Sequence, residues 1–202
     1  VLDGIELTLV ELSIDGEALS AMEYFTDIES LTINKDLPDQ FIFECTTEIK
    51  PQENTSLEGL YKSGGMYCTQ CEAEGFRKIT YYLDRPDVMS VFSTQVIADQ
   101  ENYPLLLSNG NPVAEGELDD GRHWVTWEDP FKKPAYLFAL VAGDLACIKD
   151  TFTTCTGREI DLRIYVEERN SDKCEHALYS LKNAMTWDEE VYGREYDLDI
   201  FM

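Results

Sequence analysis

The sequence predicts a mainly β fold: an antiparallel β-sandwich or pair of saddle-shaped sheets, with one helix near the C-terminus. Three observations carry that expectation. Apolar and polar residues alternate over short runs through most of the 202 residues, the period of strands with one face buried. Turn dipeptides separate the runs. The period changes to that of a helix only between residues 170 and 193.

In chain order, IELTLVELSI runs into Asp15-Gly16, a hairpin pair, and SLTINKDLPDQFIFECTTEI places Pro38 between two strand-like runs. ITYYL predicts a strand, broken by Asp84-Arg85-Pro86-Asp87, and VMSVFSTQVIA predicts another. Asn109-Gly110 and Asp120-Gly121 mark further turns, with HWVTWED between the second turn and Pro130. YLFALVAGDLACI is almost continuously apolar, as a strand buried on both faces would be, and EIDLRIYVEE completes the β-rich part. Asn170 or Ser171 then suits an N-cap. Cys174, Ala177, Leu178, Leu181, Ala184, Met185 and Val191 follow at helical spacing, with Gly193 as the stop.

Composition narrows the function. The chain carries 16 Lys and Arg against 40 Asp and Glu, a net charge of −24, and such a field repels phosphate backbones and anionic lipid. Nucleic-acid and membrane partners are therefore not expected. No run approaches the ~18 apolar residues of a membrane span, and VLDGIELTLVEL lacks the order of a signal peptide. The six cysteines are too sparse for a disulfide scaffold, so reduced thiols and a cytoplasmic location are expected. Only Cys68 and Cys71 form a CxxC, and His123 and His176 stand singly, so the four ligands of a structural zinc site are not visible. The sequence opens on Val1 and closes on the strand-like DLDIFM, which leads to the expectation of one β domain over residues 1–202, cut at both ends from a longer protein. HExxH, GxxxxGK[ST], GxGxxG and GxSxG are missing. No catalytic or metal-binding residue is therefore assigned, and the piece alone is expected to be inactive.

The informative stretch is CTQCEAEGFRKITYYLDRP, residues 68–86. Gln70 and Glu72 are two apart, and in an extended segment they point to one face. A carboxylate beside an amide carbonyl suits an ammonium group, which offers several donors and one full charge. With 40 acidic residues in the chain, a solvated surface Glu is the plainer reading of Glu72 taken alone.

The order Thr69, Gln70, Glu72, Arg77, Asp84, Pro86 resembles the T-Q-x-E-x(4)-R-x(6)-D-x-P signature in the N-terminal domain of the zinc-dependent aminopeptidase N family, the gluzincin aminopeptidases. CTQCEAEGFR and YYLDRPDVMSVF are closer still to the proteobacterial branch, and LLLSNGNPVAEGEL, GRHWVTWEDPFKKPAYLFALVAGDL and KNAMTWDEEVYGREYDLDIFM continue in register. Tyr81 departs from the Pro found in many members outside that branch.

The resemblance implies a parent enzyme that removes single N-terminal amino acids from peptides. It uses zinc held by HExxH and a later Glu in a thermolysin-like domain absent from these residues. It also implies that Gln70 and Glu72 hold the substrate's free α-amino group. Arg77, Asp84 and Pro86 also match the signature, but by their chemistry a structural job is expected of them: Asp84 and Arg77 pair or cap the turn that Pro86 rigidifies. The partners implied are peptides with a free N-terminus and the catalytic domain of the same chain. The alternative is a stand-alone β-sandwich module that binds sugars or proteins, for which Trp124 and Trp127 are the candidate aromatics; their odd spacing puts them on opposite faces of a strand.

Overall fold

The structure, a computed structural model, describes residues 1–202. It is mainly β with one α-helix, Glu175–Tyr192, as the alternation predicts. The strands form one four-stranded and four three-stranded sheets, and the chain divides into two compact units. No helix is long and apolar enough to cross a membrane.

The first unit comprises residues 1–92, 107–109 and 130–142. Its hairpin of Thr8–Ile14 and Glu17–Ala18 turns at Asp15 and Gly16, whose φ values of 51° and 79° match the mirror-image turn that suits strand twist. Phe43–Glu48 pairs antiparallel on the other side, with Leu12 opposite Cys45. Leu12, Leu31 and Tyr81 form a buried cluster packed by Leu2, Leu7, Leu9, Tyr24 and Phe43. Each such aliphatic contributes about 1.5–3 kcal/mol by leaving water. A Cβ on Gly4 would collide with the Tyr81 ring, so glycine there is what admits the tyrosine.

A second hairpin, Gly59–Ser63 with Met66–Gln70, pairs through Met66–Gln70 with Leu140–Gly143, setting Cys68 opposite Val141. Beneath its end lies a cluster of Cys71, Phe76 and Ala135, packed by Tyr82, Phe92 and Phe138. Phe76 packs edge-to-face with Tyr82 at 5.0 Å and with Phe138 at 5.1 Å between ring centres, the geometry aromatic quadrupoles favour.

The second unit comprises residues 93–106, 110–129 and 143–202. Ala146–Thr153 pairs antiparallel with Glu159–Val166 over eight residues, and Ile200–Phe201 joins the other side in parallel. The parallel pair departs from the all-antiparallel expectation. Its cause is the helix between the two strands, because a parallel neighbour requires a long crossover. Ile160, Leu162, Leu178 and Met185 are buried together between sheet and helix. Of the other residues at helical spacing, Leu181 packs on this cluster and Cys174 is buried, whereas Ala177, Ala184 and Val191 are exposed.

Several boundaries differ from the sequence reading. ITYYL is not a strand: it follows a 3₁₀ helix, Phe76–Lys78, as irregular chain in which only Tyr82 forms a bridge, with Asp3. Here Phe76 and Tyr81 enter separate buried clusters, and burial overrode β propensity. YLFALVAGDLACI is not one strand but a 3₁₀ turn, Ala135–Leu137, followed by Leu140–Gly143 and Ala146–Thr153. Arg122–Lys133 runs through Pro130. Asn170 and Ser171 lie in a 3₁₀ helix, Glu168–Lys173, and the α-helix begins at Glu175 behind Cys174, which supplies no side-chain cap. Gly193 closes it in the left-handed conformation, φ 62° and ψ 33°, as predicted.

Candidate functional site

The strand Met66–Gln70 carries the first half of the 69–72 motif, and a turn carries the rest. Thr69 Oγ1 accepts the Leu140 N–H at 2.9 Å, fixing the strand's end to its neighbour. Gln70 is the last strand residue, and Glu72 lies in the turn, so the two do not share one extended segment. The turn closes through the Gly75 N–H, which donates to Cys71 O at 2.8 Å. The Gln70 side-chain amide donates to Glu72 O at 3.0 Å, which folds the side chain of one residue over the backbone of the other.

This arrangement leaves two acceptors available. Gln70 spends its N–H on the backbone and keeps Oε1, while the exposed Glu72 carboxylate makes no hydrogen bond or ion pair within the chain. A bound ammonium could use both.

Behind the turn the chemistry is of another kind. Asp84 is 4% exposed, and its Oδ2 accepts both Arg77 N and Arg77 Nε at 3.1 Å. Its carbonyl accepts Arg77 Nη2 at 2.9 Å, and its own N–H donates to Asp3 Oδ2 at 3.0 Å. Pro86 sits exposed in the turn that follows. The expected Arg77–Asp84 pairing is thus present, with Asp3, 81 residues from Asp84, as a partner that no local pattern announces. Burial, with the Asp84 carboxylate nearby, pushes the Cys71 thiol up to about 12. Cys71 is therefore a protonated core residue at neutral pH, unsuited to ligate a metal or attack a disulfide.

One grouping of potential metal ligands lies elsewhere, in the second unit. Ligand atoms of Cys155, Glu189 and Glu195 fall within 4.8 Å of one another. Their separation in sequence hid them, and no local signal would have found them. They do not fit a zinc ion. Glu189 accepts the Cys155 N–H at 3.1 Å, and Glu195 accepts the Thr156 N–H at 2.7 Å and the Cys155 thiol at 3.2 Å. That last bond raises the Cys155 thiol above its ordinary range, opposing the thiolate a metal requires. The carboxylates act instead as caps on the turn.

The aromatics of the alternative reading are committed as well. Trp127 is 3% exposed and donates its indole N–H to Leu106 O at 3.1 Å. Trp124 packs on Gly116, where a Cβ would lie 2.8 Å from the indole nitrogen. Neither forms an open stacking platform.

Residues 6–137 match the family described as the peptidase M1 N-terminal domain. The whole chain is 56% identical to aminopeptidase N of Escherichia coli and 57% identical to aminopeptidase N of Caulobacter vibrioides, in each case over 23% of the relative. The chain thus spans about a quarter of the length of these relatives. Among solved structures, Legionella pneumophila aminopeptidase A in complex with aspartic acid superposes with a TM-score of 0.93 at 42% identity, over 98% of this chain and 23% of the other. A Deinococcus radiodurans M1 zinc metallopeptidase bound to a Tyr-Ser-Ala substrate superposes at 0.79 with 13% identity, over 99% of this chain and 46% of the other. The latter speaks for the fold alone.

Proposed function

The chain belongs to the family of peptidase M1 N-terminal domains, and from that premise we propose that it is part of a zinc-dependent aminopeptidase in which Gln70 and Glu72 bind the substrate's α-amino group. One observation carries the reading. Two acceptors of the type an ammonium needs stand at one turn, and neither is consumed by the chain itself.

The zinc of the parent enzyme would be held by HExxH and a later Glu in the domain that the resemblance places after these residues. Zinc would there polarise the scissile carbonyl and supply a nucleophilic water. The role of this chain is binding and orientation. A free N-terminus offers Glu72 a charge and hydrogen bonds, whereas an acylated amine would leave a desolvated carboxylate unpaired, at about 1–3 kcal/mol or more. Cleavage would then be confined to the first residue. Peptides with a free N-terminus and the catalytic domain are the partners in this reading. Six free cysteines suit the reducing cytoplasm proposed as its location.

The test uses the full-length protein. Glu72→Ala is expected to lower kcat/KM for a free-amine aminoacyl substrate about 10- to 150-fold, the equivalent of one charge-assisted hydrogen bond at about 1.5–3 kcal/mol, with zinc content unchanged. An unaltered kcat/KM would remove Glu72 from the site.

A further inference from the structure

The Arg77–Asp84–Asp3 network joins three separate points of the chain around one buried carboxylate. Asp84 offers both side-chain and main-chain oxygens to Arg77, whose guanidinium also approaches Asp3 at 4.0 Å and Glu74 at 3.5 Å. Glu74 is two residues from Glu72 and one from Gly75, whose N–H closes the turn. The side chains of Asp84 and Arg77 are only 2% and 15% exposed, whereas that of Glu74 is 69% exposed. The network therefore runs from the interior to the outer rim of the turn that bears Glu72. The turn has little room to adjust on its inner side. A Cβ at Gly75 would meet Gln70 O, with Gly59 N at 2.8 Å and Cys71 Cα at 3.0 Å, all backbone atoms. Gly75 has φ −79° and ψ −17°, which any residue can adopt, so the constraint there is close packing.

We propose that Asp84 is a positioning residue for the amine-binding pair: through Arg77 and Glu74 it holds the 71–75 turn so that Glu72 stays within reach of the ammonium that Gln70 binds. This inference rests on the amine-binding reading above. Asp84 contacts no substrate. It acts by fixing Arg77, whose planar fork meets fixed oxygens in a way that a lysine would not reproduce. The network thereby becomes part of substrate affinity, although it lies behind the site.

The experiment is a double-mutant cycle in the full-length enzyme, with Glu72→Gln, Asp84→Asn and the pair, reading KM and kcat separately on a free-amine substrate. Asp84→Asn keeps the shape and removes the charge. The expected result is a rise in KM of about tenfold with kcat within about threefold, and a double variant no worse than Glu72→Gln, because residues acting through one another are not additive. Should Asp84→Asn fail to fold, Arg77→Lys enters the same cycle, keeping the charge and losing the fork. Glu72→Gln impaired, with the second variant kinetically silent or fully additive, overturns the positioning role alone. Glu72→Gln without effect overturns the amine-binding reading, and the inference falls with it.

Discussion

At the turn of residues 154–158, carboxylates arrive from distant parts of the chain and are consumed, while at the turn of residues 71–75 one carboxylate leaves the turn unspent. In the first case Glu189 and Glu195 accept the N–H groups of Cys155 and Thr156, and Arg158 Nε lies 3.8 Å from Glu195. In the second, the turn closes on its own backbone through Gly75 N–H and Cys71 O, Asp84 holds the Arg77 that follows it, and Glu72 keeps its oxygens for solvent or a ligand. The same residue types thus build a brace in one place and a candidate binding group in the other. What separates them is where their hydrogen bonds go, which composition does not report.

The largest stability difference between the two turns is expected at their bracing carboxylates. Asp84→Ala leaves Arg77 facing Asp3 and Glu74 without its buried partner, and breaking such a pair costs about 3–5 kcal/mol when fully buried, toward the lower end here because Arg77 reaches solvent. Glu195→Ala, at an exposed turn, is expected to lower the urea midpoint by much less. Equal losses at the two sites would mean that the Asp84 network is no more consequential than a surface cap.

Next in size is a dependence on acid. Hydrogen bonding from Thr156 holds the Glu195 carboxyl down at about 2, below its ordinary 4.5. The contribution of the 154–158 turn is therefore complete above pH 4.5 and is lost as pH falls from there toward 2. Glu195→Gln should flatten the stability profile in that window, and an unchanged profile would show that the cap does not persist in solution.

The smallest effect is chemical. At pH 8, iodoacetamide should modify the exposed Cys155, slowed by its bond to Glu195, while the native chain shields the buried Cys71, whose thiol burial also keeps protonated up to about 12. Its contribution to stability is present below pH 9 and is lost as pH rises toward 12. Peptide mapping by mass spectrometry that finds Cys71 modified first would contradict the packing beneath the turn.

Local chemistry was legible in the sequence. Asp15-Gly16 has the two positive φ values its hairpin needs, and Gly193 closes its helix in the left-handed region. The motif that carries the resemblance points to Gln70 and Glu72 from sequence alone. What the sequence hid depends on long-range packing. The predicted strand ITYYL gives way to irregular chain where Phe76 joins Cys71 and Ala135 in one core cluster and Tyr81 joins Leu12 and Leu31 in another. Asp3 reaches Asp84 across 81 residues, and Cys155 meets Glu189 and Glu195 across 34 and 40. The parallel strand Ile200–Phe201 likewise depends on where the helix returns the chain.

The most direct test is inhibition of the full-length enzyme by an amino acid amide and by its N-acetylated counterpart, in the natural protein and in Glu72→Gln. The natural protein should prefer the free amine strongly, and Glu72→Gln should reduce that preference at least tenfold, mainly by weakening the free-amine compound. A ratio of inhibition constants unchanged by the substitution would contradict the assignment of Glu72 as the group that binds the amine.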